Sequence, residues 1–191
     1  PTREGKQSLF SGMVFCADCG EKLYFCTAKN FRPEQNWFTD SSARKTKDKC
    51  TAHFIRDVYI QKAVLESMRR VFWYVRTFEN RFAEELQNCS LEEQTEGIGK
   101  FIRMVKSVTE PTALTPELVH RFVSKIAVPE ARKIDGVRHQ DIDIYYSGVG
   151  IIYPSDPEEM ERLFQEHLKS GRNRTRVYAG DTANTNIRVN G

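Results

Sequence analysis

The segment Phe15-Cys16-Ala17-Asp18-Cys19-Gly20-Glu21-Lys22 constrains this chain more than any other stretch. Two cysteines two residues apart, with glycine straight after the second where the backbone must turn, can aim both sulfurs at one ion. Cys50-Thr51-Ala52-His53 supplies a second half, because the same separation lets a sulfur and an imidazole nitrogen reach one tetrahedral zinc at about 2.3 and 2.0 Å. Cys16, Cys19, Cys50 and His53 are therefore the expected ligands of a single Zn2+. Asp40 is the alternative to His53 as fourth ligand, and Cys26 stands behind it. Three thiolates and one neutral imidazole leave no open position for water, so the metal is expected to be structural and metallohydrolase chemistry is not expected. The cysteines number five, an odd count that disfavours a disulfide framework and suits a reducing cytoplasm. Cys89, far from the others, reads as a spectator.

Charge is concentrated near this motif. The chain carries 29 basic and 26 acidic residues, a net charge of only +3, which by itself neither demands nor forbids a polyanionic partner. Residues 20 to 56 nevertheless hold eight basic side chains (Lys22, Lys29, Arg32, Arg44, Lys45, Lys47, Lys49, Arg56) against four acidic ones (Glu21, Glu34, Asp40, Asp48). A loop this basic, interleaved with Ser41, Ser42 and Thr46, suits phosphate contacts or insertion into a groove, and Lys22, Arg44, Lys45, Lys47, Lys49 and Arg56 are its candidate contacts. A solvated loop is the bland alternative. The apolar runs are short and flanked by arginines, so neither a membrane span nor a signal peptide is expected and the chain should be soluble. It opens Pro1-Thr2-Arg3, which fits a fragment cut from a longer protein.

Periodicity divides the rest. Short hydrophobic runs broken by Gly12, Gly20, Asn30 and Pro33 predict strands around tight turns over residues 8 to 56. Val64, Met68, Val71, Phe72, Val75, Phe78, Phe82 and Leu86 recur at helical spacing and predict one amphipathic helix over 57 to 87. A second helix runs to Val108 with Ile98, Phe101, Ile102 and Val105 on one face, and a third begins at Thr115-Pro116 with Leu118, Phe122 and Ile126 inward. Asp135-Gly136 between residues 127–133 and 138–146 is a type I′ hairpin signal, and Asp156-Pro157 opens a last helix to about Lys169. The expected class is α+β: a zinc β-ribbon over 1–56, a helical hairpin over 57–110, a helix, β-hairpin and helix over 111–169, and a mobile tail over 170–191.

Leu9-Phe10-Ser11-Gly12-Met13-Val14-Phe15-Cys16-Ala17-Asp18-Cys19-Gly20, followed by Cys50-Thr51-Ala52-His53-Phe54-Ile55-Arg56, resembles the zinc β-ribbon domain of large serine recombinases, especially those of mobile elements in Gram-positive bacteria. Leu114-Thr115-Pro116-Glu117-Leu118-Val119, Lys125-Ile126-Ala127-Val128 and the stretch from Gln140 to Gly150 resemble the C-terminal region of many of them. The resemblance spans about residues 8 to 152. Family members usually carry a third cysteine shortly after an aromatic pair, where this chain has Asp40 after Trp37-Phe38. They also insert a long coiled-coil arm where only a few residues around Gln87 to Ser90 stand here. The resemblance implies the DNA-binding half of a site-specific recombinase of a transposon or other mobile element. It would bind double-stranded DNA at an attachment half-site during integration or excision in the bacterial cytoplasm, alongside other recombinase protomers. The catalytic serine of such enzymes lies in a separate N-terminal domain, so this fragment alone should cut nothing. The competing reading is a zinc-stapled protein interaction module, for which outward members of Phe72-Trp73-Tyr74 would form the contact surface.

Overall fold

The computed structural model describes residues 6–40, 50, 53–88, 94–170 and 185–190. Five helices and two sheets make up these residues, the α+β arrangement expected. The smaller sheet joins β2 (Leu23–Cys26), β3 (Trp37–Asp40) and β4 (Phe54–Arg56) as antiparallel neighbours. Strand alternation buries Leu23, Phe38 and Ile55 and turns Tyr24, Trp37, Thr39, Phe54 and Arg56 to the other face.

The strand that carries the first cysteine belongs to the other sheet. β1 (Val14–Cys16) runs parallel to β5 (Val123–Val128), Val14 opposite Ile126 and Cys16 opposite Val128. The expected hairpin is present: β5 and then β6 (Arg132–Ile134) pair antiparallel with β7 (Val137–Tyr146). Asp135 and Gly136 both take positive φ, 51° and 78°, as a type I′ turn requires. Pro129 has no N–H to give the ladder between β5 and β6. Its carbonyl instead accepts from the buried Gln140 amide at 3.0 Å.

Three boundaries differ from the sequence expectation. The helix predicted over 57 to 87 breaks at Phe78 (φ −129°, ψ 46°) into α1 (Asp57–Thr77) and α2 (Glu79–Asn88). Phe78 turns its ring onto Trp73 and Tyr74, with centroids 5.7 and 5.8 Å away, and this tertiary packing outweighs helical continuity. Past the break, Phe82 stacks on Phe101 of α3 (Gln94–Lys106) at 6.0 Å. Glu79, opening α2, meets Lys106, closing α3, at 2.5 Å, so the two helices run antiparallel. Arg76 donates to the Val105 and Val108 carbonyls and satisfies the end of α3. Second, the helix α4 (Pro116–Phe122) stops before Ile126, which lies in β5; β-branched Val123 and Ile126 fit a strand paired on both edges. Third, part of the segment expected as a mobile tail is β8 (Thr185–Asn190), parallel to β7.

Gly97 of α3 lies against the loop after β7. A Cβ there would come 2.2 Å from the Gly148 carbonyl oxygen, so only glycine permits this approach. Asp156 caps α5 (Pro157–Lys169) by accepting from the Glu159 N–H at 2.8 Å, and α5 sets Phe164 5.5 Å from Trp73. Phe72, Trp73 and Tyr74 are all buried in the contiguous apolar core that extends from Phe10 to Phe164. The outward aromatic surface expected of them is absent, because Phe122 of α4 packs on Phe72, Phe164 of α5 on Trp73, and Phe82 of α2 on Tyr74. Arg69 and Arg70 pair with Glu110 and Glu161 at 3.4 and 3.0 Å.

Candidate metal centre and the ribbon face

Local backbone geometry builds the knuckle at the end of β1. The Cys16 N–H donates to the Glu21 carbonyl at 2.8 Å and Gly20 N–H to the Cys16 carbonyl at 3.1 Å, a turn that closes because Gly20 adopts φ +75°. Ala17 N–H donates to the Val128 carbonyl at 3.0 Å, which anchors the turn to the end of β5. The Asp18 and Cys19 amides both donate to Cys16 Sγ at 3.3 Å, so the sulfur is oriented before any ion arrives.

Cys50 and His53 meet this turn from the approach to β4. Cys16 Sγ lies 3.6 Å from Cys50 Sγ, and His53 Nδ1 is 3.7 and 3.6 Å from those two sulfurs. A tetrahedral ion with the usual zinc bond lengths needs sulfurs about 3.8 Å apart and a sulfur and nitrogen about 3.5 Å apart. The observed spacing fits. Three of the four expected ligands, Cys16, Cys50 and His53, thus meet; Cys19, whose backbone N–H points at Cys16 Sγ, is not in the group of ligand atoms lying within 4.8 Å of one another. Burial, reinforced by the neighbouring Cys16 and Cys19, pushes the Cys50 thiol up to about 12, and burial raises Cys16 too.

The group of potential ligand atoms also includes a residue that sequence reasoning passed over: Asp18 joins Cys16, Cys50 and His53, all atoms lying within 4.8 Å of one another. Asp18 Oδ2 is 2.5 Å from His53 Nε2. An acidic residue between the paired cysteines was its only sequence signal. Asp40 is buried at the end of β3 opposite Leu23 and is not in the group. Cys26 lies apart, its Sγ 3.6 Å from the Tyr24 carbonyl. Cys89 is outside the described residues.

Of the candidate phosphate contacts, Arg44, Lys45, Lys47 and Lys49 lie outside the described residues. Lys22 sets its ammonium 5.9 Å from the Phe15 ring and borders an open groove of about 530 Å³ shared with Lys6, Ser11 and Tyr24. Arg56 sits 5.4 Å over Phe54 and donates to the Gln35 carbonyl at 2.7 Å. It stands on the outward face of the small sheet, where Cys26, Trp37 and Arg56 form one cross-strand row and Tyr24, Thr39 and Phe54 the next. Trp37 is 5.4 Å from Phe31 and 6.2 Å from Phe54. Arg138 reaches over from β7, 5.6 Å above the Phe54 ring, and donates to the Phe54 carbonyl. Arg138 is invisible as a contact in the sequence, because only the fold brings it to the ribbon. The outward positions of the three strands carry no carboxylate; the one acid on them, Asp40, points inward.

No helix among the described residues is long and apolar enough to cross a membrane. No curated protein and no solved structure matches the chain. Two family models do. Residues 88–153 match a domain of unknown function (DUF4368), and residues 9–69 match the recombinase zinc beta ribbon domain, which supports a recombinase-associated zinc ribbon over that segment, where the Cys/His cluster lies.

Proposed function

We propose that the chain binds double-stranded DNA sequence-specifically at the attachment half-site of a site-specific serine recombinase of a mobile element. Zn2+ is held by Cys16, Cys19, Cys50 and His53 and serves structure alone, since three sulfurs and one nitrogen fill a tetrahedron. The observation that carries the DNA reading is the outward ribbon face: Tyr24, Trp37 and Phe54 with Arg56 and Arg138 both over the Phe54 ring, free of carboxylates on its strand positions. Such a face tolerates a polyanion and offers flat groups to sugars and base edges. The basic segment 41–49 stands in the sequence between two of its strands, β3 and β4. Lys22, Arg44, Lys45, Lys47, Lys49 and Arg56 are the proposed phosphate contacts. Strand breakage belongs to a catalytic serine domain elsewhere in the full protein, and other protomers of it are the expected protein partners.

A gel-shift titration of the element's attachment-site duplex against an unrelated duplex of equal length, at several salt concentrations, tests this. Preference for the attachment site is expected, with log affinity falling linearly in log salt. Replacing Arg44, Lys45 and Lys47 by alanine should flatten that slope by about three units. Equal binding to both duplexes would refute sequence-specific recognition, and an unchanged slope would move the footprint off the loop.

A further inference from the structure

We propose that Asp18 is the positioning residue of the metal centre: its carboxylate accepts the Nε2–H of His53 and thereby turns Nδ1 toward the ion. This rests on the reading of Cys16, Cys19, Cys50 and His53 as zinc ligands. The distances separate this role from direct ligation. Two oxygen or nitrogen ligands at about 2.0 Å on one tetrahedral zinc stand about 3.3 Å apart. Asp18 Oδ2 and His53 Nε2 are 2.5 Å apart, a hydrogen-bond distance, too close for both atoms to sit on one ion. Nδ1, in contrast, lies 3.7 and 3.6 Å from the Cys16 and Cys50 sulfurs, the separation expected of neighbouring ligands.

Cys16 alone does not orient the ring, because its sulfur is about as far from Nε2, at 3.6 Å, as from Nδ1, at 3.7 Å. Asp18 breaks that tie. The imidazole is fully buried, whereas half of the Asp18 side chain is exposed, so the carboxylate stays hydrated while holding a ring that water does not reach. Its backbone N–H meanwhile donates to Cys16 Sγ, so one residue of the turn orients both a sulfur and the imidazole. Carboxylates behind metal-bound histidines fix the tautomer and raise the basicity of the ligating nitrogen, and losing one costs metal affinity about 10- to 100-fold.

The test uses the full chain loaded with zinc. X-ray absorption should give three sulfurs and one nitrogen around the metal, and 15N spectra should show His53 bound through Nδ1 and protonated at Nε2. Asp18→Asn, which keeps the shape, and Asp18→Ala should both retain that coordination while zinc affinity against a competing chelator falls 10- to 100-fold; Asp18→Glu should recover part of the loss. Unchanged affinity in both variants, an oxygen in the wild-type coordination sphere, or His53 bound through Nε2 would each overturn the proposal. A wild-type chain that takes up no zinc would overturn the ligand reading beneath it, an outcome distinct from the other three.

Discussion

The two sheets of this chain cohere by different means. The ribbon sheet has three strands of three or four residues and buries Leu23, Phe38 and Ile55 beneath it. The larger sheet is covered by a chain of aromatic contacts in which Phe72 meets Phe122 at 4.6 Å, Phe122 meets Phe101 at 6.0 Å and Phe101 meets Tyr146 at 5.7 Å. A unit of about 50 residues buries too little surface to hold itself together without a staple, whereas rings packed edge to face supply both apolar burial and directional contact. With zinc held as proposed, the difference teaches that this chain divides its stability between a metal and a core. The division is not clean, because β1 delivers Cys16 to the knuckle while paired with β5. Ser8 also reaches across to Asp57 at the start of α1, at 2.6 Å.

The sharpest way to break the comparison is to remove the metal. Chelation, or Cys16→Ser, should abolish hydrogen-exchange protection in β2, β3 and β4, since structural zinc contributes on the order of 10 kcal/mol to small ribbons; β7 and α1 should stay protected. Equal loss in both regions would merge them into one cooperative unit. Zinc uptake should also release protons, because the free thiols of Cys16 and Cys50 are raised, and uptake should weaken as pH falls. The converse core variant, Phe101→Ala, should cost about 3–5 kcal/mol in denaturant unfolding while leaving zinc stoichiometry intact. Gly97→Ala forces its methyl onto the Gly148 carbonyl and should cost about 1–3 kcal/mol, read in the same way.

The smallest effect concerns the junction. Burial pushes the Asp57 carboxyl above the usual aspartate range, opposed by hydrogen bonds from Ser8 and Gln61. A folded-state value above the unfolded one means stability fully present below the unfolded value and lost as pH rises through the folded one. Asp57→Asn should therefore flatten the fall in melting temperature between acid and neutral pH. An unchanged slope would place the charge of Asp57 in a better-solvated site.

What the sequence made legible was local. Cys16, Cys19 and Gly20 announce a knuckle because turn geometry and ligand spacing are set within five residues, and Asp135-Gly136 announces a hairpin because two successive positive φ values demand such a pair. The stripe Ile98, Phe101, Ile102 and Val105 was legible as an inward face for the same reason. The break at Phe78 was not, since no proline or glycine marks it and only the docking of its ring on Trp73 and Tyr74 favours it. Burial of Phe72, Trp73 and Tyr74 together needs three separate helices around α1, which no window of sequence contains. Asp18 and Arg138 escaped notice alike: each acts on a residue tens of positions away, His53 in one case and Phe54 in the other.

The parallel pairing of β1 with β5 bears on how the protein is made. During synthesis at about 5–20 residues per second, β1 leaves the ribosome roughly a hundred residues, and so about 5–20 s, before the strand that will hold it. Throughout that interval Cys16 and Cys19 sit on an unanchored segment, while Cys50 and His53 follow within seconds. The knuckle can therefore gather its ion early, yet it can dock only when the hairpin arrives. With zinc held as proposed, the nascent chain would pass through a stage in which a metal-bound head waits for β5 to arrive.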